Sequence, residues 1–387
     1  MSRNAYALLV VVLVVVAACM HCGCLAQCTA SQTTASGTKA PATICSGDLI
    51  FDDDFEDFDL SVWQHEITMS GGGNGEFEMY VNNRSNSFAR NGYLNIRPTL
   101  TSDKYGEAFL SSGTIDLNGG SPADECTNPL VNGCSRTGTA TNILNPVTSA
   151  RLRTVNSFSF RYGRVEVRAK MPAGDWLWPA IWLLPRYNKY GGWPASGEVD
   201  LLESRGNLGL TLGDTNIGAE QVGSTLHFGP YYPLDAYKTA TFSQNSAAAQ
   251  GYDKDFHSYQ LEWTPDYMKF SIDGTELGTV TPTDEGFWSY GGFNTDLPAA
   301  ENPWRYGTKM APFDQEYYII INLAIGGTNG YFPDYALNAG GNKPWINTSP
   351  TALTDFWNGR DRWLPTWNLE EGGASSLQVD YVRVWAL

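Results

Sequence analysis

The stretch Gly197-Glu198-Val199-Asp200-Leu201-Leu202-Glu203 places three carboxylates within six residues, spaced Glu-x-Asp-x-x-Glu among aliphatic side chains. Two carboxyl groups facing one acetal carbon can serve as nucleophile and as proton donor and acceptor, the chemistry of glycoside hydrolysis. The apolar residues at 199, 201 and 202 indicate a buried strand, whose side chains alternate between two faces. Glu198 and Asp200 then share a face, whereas Glu203 falls one step out of phase. A β-bulge near Leu201-Leu202 absorbs the extra residue and returns Glu203 to the face of the other two. Acids gathered in this way repel one another, a cost that calls for a use. A solvated acidic edge or a metal site would draw on the same residue types.

Several elements must surround such a strand. Just upstream, Trp176-Leu177-Trp178-Pro179-Ala180-Ile181-Trp182 reads as a strand in which Trp178 and Trp182 share a face. Their indoles offer flat platforms for sugar rings, while other tryptophans of the chain belong to the core. His227, in Ser224-Thr225-Leu226-His227-Phe228, lies on another strand-like piece, able to bond a carboxylate or a sugar hydroxyl. Asn322 interrupts the apolar run Tyr317 to Ile325, and a buried amide needs partners. Asn82 and Arg84, in Asn82-Asn83-Arg84-Ser85-Asn86, form a polar rim suited to sugar hydroxyls or to an ordinary turn. Trp363, in a tail loop with Trp345, Trp357 and Trp367, is a further candidate for substrate contact.

The rest of the 387 residues fits a single all-β domain: 13 Trp, 20 Tyr, 17 Phe and 40 Gly accompany short alternating segments without sustained helical periodicity. Phe158 to Ala169 alternates as a strand pair or one long strand, and Asp273-Gly274 marks a hairpin. A net charge of −16 argues against a nucleic-acid partner and favours a neutral polymer. Residues 1–26 read as a secretory signal peptide, so no membrane association is expected after its removal. Residues 27–48 read as an N-terminal tether, and 49–387 as one domain. Loss of Cys19, Cys22 and Cys24 with the signal leaves four of the seven cysteines. Cys28–Cys45 with Cys126–Cys134 is the expected pairing, although spacing alone leaves the other two open. Sequons stand at Asn83 and Asn347.

Glu198-Val199-Asp200-Leu201-Leu202-Glu203, with Trp178-Pro179-Ala180-Ile181-Trp182 upstream, resembles glycoside hydrolase family 16 in its bulged, laminarinase-like form. Asn82 to Asn86, Asn322-Leu323-Ala324-Ile325-Gly326-Gly327 and the closing Val379-Asp380-Tyr381-Val382-Arg383-Val384-Trp385 agree, so the resemblance runs from about residue 49 to the end. It implies a β-jelly-roll sandwich of two antiparallel sheets with a concave substrate cleft. It also implies a secreted, monomeric endo-β-1,3-glucanase of retaining mechanism. Glu198 would be nucleophile, Glu203 acid/base, and Asp200 the residue that orients the nucleophile. No cofactor is implied for the chemistry; a structural calcium held by Asp380 and the Gly92 backbone is. The family also contains non-catalytic β-1,3-glucan recognition proteins, which commonly lose one or both glutamates, so glucan binding without cleavage is the alternative expectation.

Overall fold

The computed structural model describes residues 28–387 apart from 120, 248 and 298. Two antiparallel sheets pack face to face as a β-jelly-roll. The concave sheet runs, edge to edge, through Thr34–Ser36, Ser159–Arg161, Tyr317–Ile325, Leu177–Pro185, Glu198–Ser204, Gln221–His227 and Thr241–Asn245. Arg151–Arg153 and Gln64–His65 extend it beside Tyr317–Ile325. The second sheet runs through Thr275–Val280, Met268–Ile272, His257–Trp263, Gly163–Lys170, Leu377–Trp385, Tyr93–Ile96 and Ser87–Arg90, with Leu49–Asp53 also paired to Leu377–Trp385. The longest helix among the described residues, Ala352–Asn358, has seven residues. No helix among them is long and apolar enough to cross a membrane.

Alternation decides which side chains meet between the sheets. Val165, Val167 and Ala169 point inward from Gly163–Lys170, while Arg164, Glu166 and Arg168 point outward. Leu177, Ile181 and Leu183 line the inner face of Leu177–Pro185, and Ile319, Ile321, Leu323 and Ile325 line that of Tyr317–Ile325. The alternating run from Phe158 proves to be a strand pair divided between the two sheets. The chain crosses at Tyr162, with φ of +60°, and Gly163, with φ of +151°. A side chain at 163 would meet the Trp385 carbonyl oxygen at 2.9 Å, so only glycine fits the crossing. The hairpin also forms as expected, with Asp273 and Gly274 both at positive φ.

The segment expected as a tether is part of the sandwich. Thr34–Ser36 pairs antiparallel with Ser159–Arg161, and Cys28–Cys45 closes the segment on itself. Ser31 donates to the Leu387 carbonyl and Leu387 N–H donates to Thr33 Oγ1, which fastens the segment to the last strand. Its Ser- and Thr-rich composition serves these bonds rather than flexibility. Cys126–Cys134 forms as expected and pins the long 118–147 excursion. Residues 1–26, with the expected signal peptide, lie outside the described residues.

Candidate functional site

The acid strand Glu198–Ser204 sits between Leu177–Pro185 and Gln221–His227, and its pairing slips on both sides at the same place. Asp200 lies opposite Trp182 and Thr225, yet Glu203 lies opposite Ala180 and Gly223. Ala180 is two positions from Trp182, whereas Glu203 is three positions from Asp200. The surplus residue is a bulge at Leu201-Leu202. Both leucines turn into the core, at 3% and 1% exposure. Asp200 and Glu203 therefore face the cleft together, with Glu198 two residues before Asp200 on the same side.

Each acid has a distinct partner. Trp178 Nε1–H donates to Glu203 Oε1 at 2.8 Å. Asp200 Oδ2 lies 3.2 Å from His227 Nε2, and His227 Nδ1 lies 2.6 Å from Asp235 Oδ2. Asp235 is held in turn by the backbone N–H groups of Phe228 and Tyr237, at 3.2 and 3.1 Å. Burial, followed by the adjacent Asp200 charge, raises the Glu198 and Glu203 carboxyls above the usual carboxylate range. Burial alone would depress the His227 imidazole, but its bonds to Asp200 and Asp235 raise it to about 12. Glu198 and Glu203 therefore titrate as a pair beside an imidazolium.

Of the expected sugar contacts, Trp182, Asn322 and His227 stand beside the acids. Trp182 Nε1–H donates to Asn322 Oδ1 at 2.7 Å, and Asn322 Nδ2–H donates to Tyr80 OH at 3.2 Å. The Arg151 guanidinium covers Trp182 at 4.5 Å from the ring centroid. Trp178 shares their face as expected, but Tyr331 stacks on it at 3.9 Å and 7°, and only 6% of the residue is exposed. It anchors Glu203 rather than offering an open platform. Asn82 and Arg84 bond each other, and Arg84 reaches His65 and Ser87; neither has a direct bond to the acids. Trp363 is a correction: it is 1% exposed, stacked on Phe356 at 4.4 Å, and donates to the Phe356 carbonyl. The short helices Ala352–Asn358 and Arg360–Trp363 bury these aromatics in the core, which removes Trp363 from the cleft.

The calcium expectation concerns the Asp380 side chain and the Gly92 backbone. Asp380 directs its carboxylate to Arg168. Among the described residues, three metal-ligating side chains converge only at Glu198, Asp200 and His227. There, both imidazole nitrogens face carboxylates, Asp200 on one side and Asp235 on the other.

Sequence reasoning missed Asp235, Tyr331 and an aromatic rim around His227. Tyr237 stacks on the imidazole at 5.3 Å, and Trp193, 42% exposed, lies 5.8 Å from it. The pair Trp193-Pro194, immediately before the acid strand, was a readable signal for a fixed aromatic there; Asp235 and Tyr331 gave none.

Comparison with known proteins agrees with this arrangement. The family profile for glycosyl hydrolases family 16 matches residues 128–295, which include the acid strand. A β-1,3-glucan-binding protein of Penaeus monodon is 53% identical over 343 residues, covering 88% of this chain and 90% of that protein. β-1,3-Glucan-binding protein 1 of Galleria mellonella is 38% identical over 90% of this chain, which spans 65% of that longer relative. Two solved structures share the fold: the laminarinase from Rhodothermus marinus, at TM-score 0.52 and 24% identity over 88% of this chain and 98% of that one, and the endo-β-1,3-glucanase from Pyrococcus furiosus, at 0.51 and 24% over 88% and 94%. By its acid strand, its sandwich and these relatives, the chain belongs to glycosyl hydrolases family 16.

Proposed function

We propose that this protein is a secreted β-1,3-glucan-binding protein that takes the polysaccharide along its concave sheet, as a monomer. The observation that carries this reading is the Penaeus relative, bearing that name at 53% identity over nearly its whole length. Two disulfides suit an oxidising compartment. The cleft's chemistry suits a neutral glycan: indole and tyrosine rings for sugar faces, with amide and guanidinium groups for hydroxyls.

A second reading, retaining hydrolysis of that glucan, is favoured by one observation: Glu198, Asp200 and Glu203 are all present and share the cleft face. A site that only binds gains little from three half-buried or buried acids. In this reading Glu203 carries its proton on Oε2, because Oε1 accepts from Trp178. That proton passes to the glycosidic oxygen as a Glu198 oxygen bonds to the anomeric carbon and the C–O bond to the leaving chain breaks. Glu203 then takes a proton from water, whose oxygen displaces Glu198 with net retention; a separation of the two carboxyls of about 5–5.5 Å is needed.

One pair of measurements separates the readings. Laminarin binding by calorimetry tests the first, and analysis of laminarin products from wild type and Glu198→Gln tests the second. Absence of binding refutes the first. Intact laminarin after prolonged incubation with wild type refutes the second; shortening abolished by Glu198→Gln supports it.

A further inference from the structure

Trp178 donates to Glu203, and something must hold that indole. Tyr331 lies flat on it, with ring centroids 3.9 Å apart and planes within 7°. On Tyr331 sits the Arg205 guanidinium, 3.9 Å from the ring centroid. Arg205 is not free to leave. Its Nε and Nη2 donate to the Tyr331 carbonyl at 2.9 and 2.7 Å, and its Nη1 donates to the Ile217 carbonyl at 3.1 Å. The loop bearing Tyr331 is fastened separately: Thr328 N–H donates to the Asn74 carbonyl, and Trp345 Nε1–H to the Gly327 carbonyl, both at 2.8 Å. Cation, phenol ring and indole thus form a three-layer stack, built from residues two, 128 and 25 positions away from Glu203, that ends on one carboxyl oxygen.

We infer that Arg205 and Tyr331 are positioning residues, which clamp Trp178 so that its N–H pins Glu203 Oε1 and leaves Oε2 as the oxygen that carries a proton toward bound glycan. The inference rests on the hydrolytic reading for its use, though the clamp can be measured without turnover. A carboxyl group rotates easily about its last bond, and a fixed donor on one oxygen removes that freedom. An acid whose protonated oxygen points away from the leaving group contributes nothing to catalysis, and small misplacements are expensive in rate.

Several charged or titratable groups face Glu203, and their signs fix the expected shift. Glu198 and Asp200 stand on its own strand, His227 on the neighbouring strand, Arg151 across Trp182, and Arg205 behind Tyr331. Burial and Asp200 push the Glu203 carboxyl up; His227, the Trp178 bond and Arg205 pull it down. Loosening the stack removes two of the downward influences, so Glu203 should hold its proton to higher pH.

The test uses the full chain with carboxyl-labelled glutamate, following the Glu203 resonance by NMR and assigning it through its loss in Glu203→Gln. Tyr331→Leu and Arg205→Met are each expected to raise the Glu203 titration by about one unit. Tyr331→Phe, which keeps the ring, should titrate as wild type. Trp178→Phe keeps the stack but deletes the donor, and should match Tyr331→Leu even where the latter folds poorly. If laminarin is cleaved, the alkaline limb of kcat/KM should move up with the titration, and kcat should fall about tenfold with KM within threefold. Folded Tyr331→Leu or Trp178→Phe with an unmoved Glu203 titration overturns the inference. The expected shifts in a protein that leaves laminarin intact support the clamp and refute only the hydrolytic reading.

Discussion

Asp235→Asn tests the least ordinary electrostatic feature of the cleft, an imidazole held between two carboxylates. The substitution preserves shape while removing the charge 2.6 Å from His227 Nδ1. A hydrogen bond to a charged group contributes about 1.5–3 kcal/mol, and one pKa unit corresponds to about 1.4 kcal/mol, so His227 should fall by about 1–2 units from its raised value. The consequence for stability has a definite sign. Because the folded value, about 12, exceeds the unfolded one, the contribution of His227 is fully present below about pH 6.5. It is lost progressively as pH rises toward the folded value. The variant should therefore be less stable by about 1.5–3 kcal/mol at pH 6, and the gap should close at strongly alkaline pH. Urea unfolding at several pH values, with nitrogen NMR of labelled histidine, reads both quantities. Wild-type His227 titrating near 6.5, or a variant as stable as wild type at pH 6, would refute the reasoning.

Three further outcomes follow from the geometry. Deleting Leu201 leaves a regular Glu-x-Asp-x-Glu alternation, so the three acids should stay on the cleft face while stability falls by about 2–5 kcal/mol for the lost core side chain. Urea unfolding and a retained Glu203 titration check this; a folded deletion variant whose Glu203 no longer responds to Asp200→Asn contradicts it. Trp182→Ala should weaken laminarin binding by about 1–3 kcal/mol in calorimetry, and unchanged affinity would make Trp182 only a support for Arg151. Replacing Cys126 and Cys134 by Ser releases a loop of sequence separation 8, which should cost about 2.5 kcal/mol in chemical unfolding, with no loss indicating a loop already fixed by its hydrogen bonds.

The acid strand was legible because its chemistry and its phase are both written locally: Glu198 and Asp200 alternate, and the one-residue excess before Glu203 admits one correction. The sandwich was legible for the same reason, since Val165, Val167 and Ala169 reveal their face by period alone. What stayed hidden depends on distant approach. Trp178 and Trp182 have the same residue type and face, yet Tyr331, 153 residues from Trp178, covers one of them. Trp363 looked like a platform because composition cannot tell an aromatic segment over a cleft from one packed into the core. The Thr- and Ser-rich segment before residue 49 looked loose because a three-residue edge strand leaves almost no hydrophobic pattern. In the acidic turn Asp52 to Asp59, Asp53 receives the buried Trp63 indole N–H at 2.7 Å, a contact no local spacing announces.

That edge strand has a consequence for how molecules avoid one another. Ser159–Arg161 would otherwise end the concave sheet with a row of unsatisfied amides and carbonyls open to a strand from another molecule. Thr34–Ser36 occupies that row, is too short to recruit well itself, and is tied down by Cys28–Cys45. A reducing environment would loosen the cover, so polymerisation by strand addition should begin at this margin before the sandwich itself gives way.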